Sequence, residues 1–230
     1  MQSDPDFEPP VNPIPPVIIV LVLAMVLVEG AMSLAEAGIV GGRTGIGWRI
    51  AAIQDYGISP LVLDVIVTRS DYAFDLIRRF VTYPFIHGDF THALFCMALL
   101  LALGKFVGDA FGSIKTFVVF IGSAIFGALV FCILADDTSA LFGGYPPVFG
   151  LIGAYTYLLW LRLGQTGGNQ LAAFRLIGFL LALQLVFGLL FGSSQTWIAE
   201  IAGFAFGFGI ATILVPGGWG ALLARMRQRG

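Results

Sequence analysis

Apolar runs broken by brief polar turns set the rhythm of this chain. Val17–Val40 is apolar apart from Glu29, Ser33 and Glu36. A second run follows from His92 to about Val107, and the residues Lys105, Asp109 and Lys115 mark a polar turn after it. Thr116–Ala135 holds no charge at all and ends at Asp136 and Asp137. A bilayer-spanning helix needs roughly 20 mostly apolar residues, and this run has that length. A fourth helix is predicted to enter through Pro146 and Pro147 and to run to about Leu161. Proline is tolerated in a first helical turn, where the missing N–H would be unbonded anyway. Arg162 to Gln170 reads as a Gly-rich turn. Ala172–Leu190 is the fifth run, Gly192-Ser193-Ser194-Gln195 a tight turn, and Thr196–Val215 the sixth run, stopped by Pro216-Gly217-Gly218. The pattern predicts an all-α polytopic membrane protein with six transmembrane helices within residues 17–215.

Between the first two runs lies Gly41–Phe90, too long for a structureless loop in a compact domain. Leu61–Val67 and Asp75–Tyr83 each have an apolar side, so short interfacial helices are expected in residues 41–90. Asp89 or Thr91 can cap the helix that follows. Residues 1–16 form a Pro-rich acidic tail without a basic residue, unlike a secretory signal. Residues 216–230 form a short basic tail.

Composition agrees. The chain is 58% hydrophobic and 11% charged, with a mean hydropathy of +0.92. Soluble domains carry about 25% charged residues. The net charge of −2 offers no basic face to nucleic acid, so none is expected as a partner. Cys96 and Cys132 sit in apolar runs and have neither disulfide nor metal-ligand spacing. No metal and no cofactor is expected, and the evident partner is the lipid bilayer. Six spans put both termini on one side. Arg225, Arg227 and Arg229 place that side in the cytoplasm. The bias is weak, seven Lys/Arg inside against five outside. The expected location is the bacterial inner membrane.

Glu29 and Glu36 are seven apart and share a helix face with Ser33. Charge at bilayer depth faces the bundle interior or water. The expectation is that Glu36 lies near the outer interface and Glu29 hydrogen-bonds a neighbouring helix, with a polar path through the bundle as the other reading. Gly203 and Gly207 form a small-xxx-small pair, and Gly150 and Gly153 line one side of the fourth helix, as close helix packing in lipid requires.

Three stretches carry more. Before the second run stand Arg79, Thr82, Phe85, His87 and His92, with Arg78 before them and Cys96 after. The fourth run opens Gly143-Gly144-Tyr145-Pro146-Pro147-Val148-Phe149-Gly150-Leu151-Ile152-Gly153-Ala154. The sixth contains Ala199-Glu200-Ile201-Ala202-Gly203-Phe204. In this order they resemble the rhomboid family of intramembrane serine proteases, over roughly residues 75–215 and, by position, the first helix. That family reads approximately Trp-Arg-x-x-Thr, then Phe-x-His-x-x-x-x-His-x-x-x-Asn. Its fourth helix begins Gly-x-Ser-Gly-x-x-Phe-Gly-Leu-x-Gly-Ala, and its sixth carries Ala-His-x-x-Gly-Phe. Here Arg78 stands for the Trp, Cys96 for the Asn, Tyr145 for the Ser, Pro146 for the next Gly and Glu200 for the His. The resemblance implies that Arg79, His87, Gly143, Gly150, Gly203 and Gly207 keep the family's framework.

What it implies for chemistry is loss. The family's nucleophile is a serine with a histidine base, and its oxyanion hole uses the His and Asn of the second helix. A phenol at 145 puts its oxygen elsewhere, and a carboxylate at 200 is a different base from imidazole. Cys96 cannot supply the amide donor, and one lost oxyanion donor typically costs ~10²–10³ in turnover. Of the former oxyanion-hole positions His92 and Cys96, only His92 keeps the family residue. The implied protein is a catalytically inactive rhomboid-like one that binds transmembrane segments of clients. Two arrangements are open for Glu200: a hydrogen bond with Tyr145, or a protonated carboxyl donating to a carbonyl or water. One alternative is an active endopeptidase with Cys96 as nucleophile beside His92, although a thiol in an apolar helix tends to be inert. Another is a transporter-like protein using Glu29, Glu36 and Glu200. It ranks last, because the sequence has no discontinuous paired helices and no inverted repeat.

Overall fold

The computed structural model describes residues 13–136, 140–191 and 194–215. Residues 1–12 of the acidic tail, the whole basic tail, the 216–218 stop, Asp137 and two residues of the 192–195 turn lie outside them. Among the described residues the protein is helical, with one isolated antiparallel bridge between Ile58 and Leu141.

The long helices are α1 (Pro16–Glu36), α7 (Phe90–Phe111), α8 (Ser113–Leu134), α9 (Tyr145–Gln165), α10 (Arg175–Phe191) and α11 (Trp197–Leu214). All but α9 are, with the turn Gln170–Phe174 joined to α10, long and apolar enough to cross a membrane. α9 is less hydropathic because tyrosines, prolines, glycines and Arg162 occupy it, and it lies at the centre. It packs on α7, α8 and α11, and ten of its residues are buried. The side chains left outside on the other helices are apolar: Val20, Leu23 and Leu27 on α1, and Phe179, Leu185 and Leu189 on α10. Such a surface is compatible with lipid and not with water.

The α9–α11 seam is set by glycine. A Cβ at Gly203 or Gly207 would fall on the carbonyl of Pro146 or Gly150, so the two backbones touch. The expected small-residue packing is therefore present. α10 is the loose member. Only 12% of the Gln170–Leu190 stretch is buried, against 44% for α8.

The connection after α1 is built of short helices: α2 (Gly42–Gly45), α3 (Trp48–Tyr56), α4 (Pro60–Thr68), α5 (Phe74–Ile77) and α6 (Arg79–Thr82), then a 3-10 turn Tyr83–Phe85. This matches the expected helical connection. Two expectations fail. α1 stops at Glu36, not Val40: the chain turns at Gly38 and Gly41, both at positive φ. The residues Lys105, Asp109 and Lys115 mark no turn. Lys105 and Asp109 pair at 3.2 Å within α7, one helical turn apart, and Lys115 belongs to the first turn of α8. Gly112, at φ 79°, makes the whole connection.

Candidate functional site

α7, α9 and α11 all begin at one end of the bundle, and their first turns enclose a cavity of about 530 Å³. Ligand pockets typically measure ~300–1,000 Å³. His92, Tyr145, Pro146 and Glu200 line it, with Asp89 at an exposed rim and Thr196 opposite.

Asp89 starts α7. It is extended, and its side chain accepts from the His92 N–H at 2.8 Å. This is an N-cap, and of the two expected candidates it is Asp89 that serves. His92 then points its ring across the cavity. The Gly88 N–H donates to its Nδ1 at 3.3 Å, which assigns the proton of the neutral ring to Nε2. The Tyr145 ring lies almost parallel to it, 13° between planes and 5.1 Å between centroids. His87 meets the His92 ring edge-on at 5.2 Å. A stack of this kind fixes both rings.

The backbone leading into α9 threads between these side chains. Gly143 sits at φ +96°, and a Cβ there would be 2.8 Å from His92 Nε2. Only glycine meets both conditions. A Cβ on Gly144 would come 2.7 Å from the Cys96 sulfur. The segment is held from outside by Tyr83, whose carbonyl accepts from the Gly143 N–H at 3.0 Å and whose hydroxyl donates to the Ala124 carbonyl at 3.0 Å. Burial holds that phenol well above its usual range, so it stays protonated to donate. His87 accepts the Gly144 N–H on Nε2 at 3.4 Å. Burial first, and then the neighbouring His92, push the His87 imidazole down to about 4, so it remains a neutral acceptor.

Cys96 is fully buried, its sulfur against Gly144 rather than open to the cavity. Glu200 is 5% exposed and accepts from the Gln184 amide of α10. Among the described residues no hydrogen bond joins Tyr145 to Glu200, so of the two arrangements expected for Glu200 the bond with Tyr145 is not the one found. Arg79 is away from the cavity. It donates to the Gln54 and Gly57 carbonyls at 2.6 and 3.0 Å and ties α6 to the end of α3. Gly150, Gly203 and Gly207 lie in the α9–α11 seam. Among the described residues no cluster of side chains could hold a metal ion.

Glu29 and Glu36 are also elsewhere. Arg49 of α3 places Nη1 and Nη2 on Glu29 at 2.9 and 2.8 Å, and Nε and Nη2 on Glu36 at 2.6 and 3.0 Å. Its remaining N–H reaches the His87 carbonyl at 2.8 Å. Glu29 thus hydrogen-bonds a neighbouring helix as expected, through Arg49 of α3, and also accepts from Ser33 at 2.8 Å within α1.

Sequence reasoning missed three contributors. Gln184 is the only polar residue of α10 besides Arg175, and a polar group in mid-span was a usable signal. Arg49 and Tyr83 had no such signal, since only the fold brings them to His87 and Gly143.

A family model described as Rhomboid domain matches residues 75–217, more than half of the chain. Among curated proteins none matches.

Proposed function

Because the chain belongs to the rhomboid family, we propose that it is a non-proteolytic member, one that holds transmembrane segments of other membrane proteins at the cavity between His92, Tyr145 and Glu200. The observation that carries this reading is the Tyr145 ring stacked on His92 at 5.1 Å. A hydroxyl nucleophile is weak until a base in hydrogen-bond reach takes its proton. Tyr145 instead covers the imidazole with its face. Glu200, in the position of the family's base, is engaged by Gln184. Pro146 has no N–H with which to stabilise an oxyanion. Cys96 as a substitute nucleophile is disfavoured, because its sulfur is sealed behind Gly144.

The cavity keeps ligand-sized room without hydrolytic groups, and the weak packing of α10 leaves an edge by which a helix could enter from lipid. In this reading the protein spans the bacterial inner membrane with both termini in the cytoplasm and the cavity in the outer half of the bilayer. The connecting helices of residues 41–90 lie at the outer interface.

The test is photocrosslinking in native membranes from benzoylphenylalanine placed at Phe142 and at Tyr145. Capture of transmembrane proteins without cleavage is expected. Cleavage of a model transmembrane substrate that is lost in Cys96→Ala would defeat the proposal, as would the absence of captured partners at both sites.

A further inference from the structure

The cavity holds two carboxylates, and the side-chain donors that its described lining residues offer are all neutral: the His92 Nε2–H and the hydroxyls of Tyr145, Ser194 and Thr196. Glu200 lines it, buried to 5% exposure, with one carboxylate oxygen engaged by Gln184. The Oε1 of Gln184, which is behind Glu200 and not among the lining residues, is buried and has no hydrogen-bond partner among the described residues. Asp89 adds a second carboxylate at the rim, one oxygen of which takes the His92 N–H. His92 Nδ1 is already an acceptor for Gly88.

Helix N-termini ordinarily correct such an imbalance, because their first N–H groups are free. Here they do not. The first turn of α9 contains Pro146 and Pro147, which have no N–H. In the first turn of α11 the N–H groups of Ile198 and Glu200 go to the Gln195 and Thr196 carbonyls at 3.0 and 3.2 Å. The helix dipoles steady the carboxylates where they are, but they bring no full positive charge. No Lys or Arg is among the lining residues. A buried carboxylate without a cation beside it is costly, and the cost is relieved by a group that brings N–H and positive charge together. A lysine ammonium brings three donors and no acceptor, and a guanidinium brings five.

We infer that the cavity selects its occupant by charge: it takes a transmembrane segment that carries a Lys or Arg near the membrane face at which α7, α9 and α11 begin, and seats that cation on Glu200. The inference rests on the client-binding reading above and adds the determinant of recognition. Glu200 is the fourth residue of α11, about 5 Å along the axis from its start at 1.5 Å per residue. The cation of the client therefore belongs within about two turns of its end on that side.

The full chain with benzoylphenylalanine at Phe142 is reconstituted in phosphatidylcholine–phosphatidylglycerol vesicles. Single-span poly-leucine segments, identical but for one Lys, Leu or Glu at the stated depth, are added. Lys segments should crosslink about tenfold more than Leu segments, equivalent to about 1.4 kcal/mol, and Glu segments less than Leu. Glu200→Gln, which keeps the shape and removes the charge, should abolish the Lys preference. Should that variant not fold, Asp89→Asn, which can still cap α7, should diminish it. Equal capture of Lys and Leu segments overturns the inference and leaves client binding standing. Capture of none overturns both. Loss of the Lys preference when phosphatidylethanolamine is included would assign the acceptors to a lipid amine and overturn it also.

Discussion

Arg49 and His87 decide how the cavity's entrance loop is held. Arg49 uses all five of its N–H donors, four on Glu29 and Glu36 and one on the His87 carbonyl. The two carboxylates hold the guanidinium further above its already high range, so it stays charged. Lysine cannot reproduce this fork of donors. Arg49→Leu leaves Glu29 buried and unpaired and should cost about 3–5 kcal/mol. Arg49→Lys keeps the charge and should cost about 1–3 kcal/mol, the scale of hydrogen bonds lost at charged groups. Unfolding by steric trapping in bicelles would rank them, and equal losses would refute the bidentate account. His87 gives a pH signature. Its imidazole takes a proton near 4 when folded and near 6.5 when unfolded. The unfolded chain therefore binds the extra proton first as pH drops. The contribution of His87 is complete above about 6.5, declines between 6.5 and 4, and changes no further below 4. Wild type should lose roughly 3 kcal/mol more than His87→Asn between pH 7 and pH 4. Parallel pH profiles for the two proteins would remove His87 as the cause.

At the scale of elements, the α9–α11 pair and α10 are opposites. A Cβ on Gly207 falls on the Gly150 carbonyl oxygen, a backbone atom that cannot swing aside. Gly207→Ala should cost about 1–3 kcal/mol by overpacking, whereas Gly178→Ala, with open space around it, should be close to neutral. Thermal unfolding in detergent compares them, and a neutral Gly207→Ala would mean that the helices separate easily. α10 lacks such a seam, and its mid-span tie to the bundle is the amide of Gln184 on Glu200. Gln184→Leu should speed hydrogen exchange across α10 by about tenfold, the effect of losing about 1.4 kcal/mol of charge-assisted bonding. Exchange in α9 should be unaffected. Unchanged protection in α10 would show that lipid-facing packing alone holds it.

For the whole molecule, the long helices and the lipid-compatible exterior make an integral membrane protein. Arginine distribution favours cytoplasmic termini. A C-terminal GFP fusion should then fluoresce, and a C-terminal alkaline phosphatase fusion should be inactive. The reverse result would invert the molecule and move the cavity to the inner half of the bilayer.

Much of the fold was legible in the apolar runs, because length and hydropathy alone dictate a membrane span. The family, too, was legible, since Gly150, Gly153, Gly203 and Gly207 mark where two backbones touch, and no side chain fits there. Tertiary structure alone decided the partners. Tyr145 stacks on His92 instead of bonding Glu200, because the turn at Gly143 aims its ring across the start of α7. Glu200 takes Gln184, and Glu29 takes Arg49, over separations of 16 and 20 residues. Periodicity carries which face a residue is on, but not which distant group will face it. A buried charge obliges the chain to supply a partner, and only the packed helices determine which one is in reach.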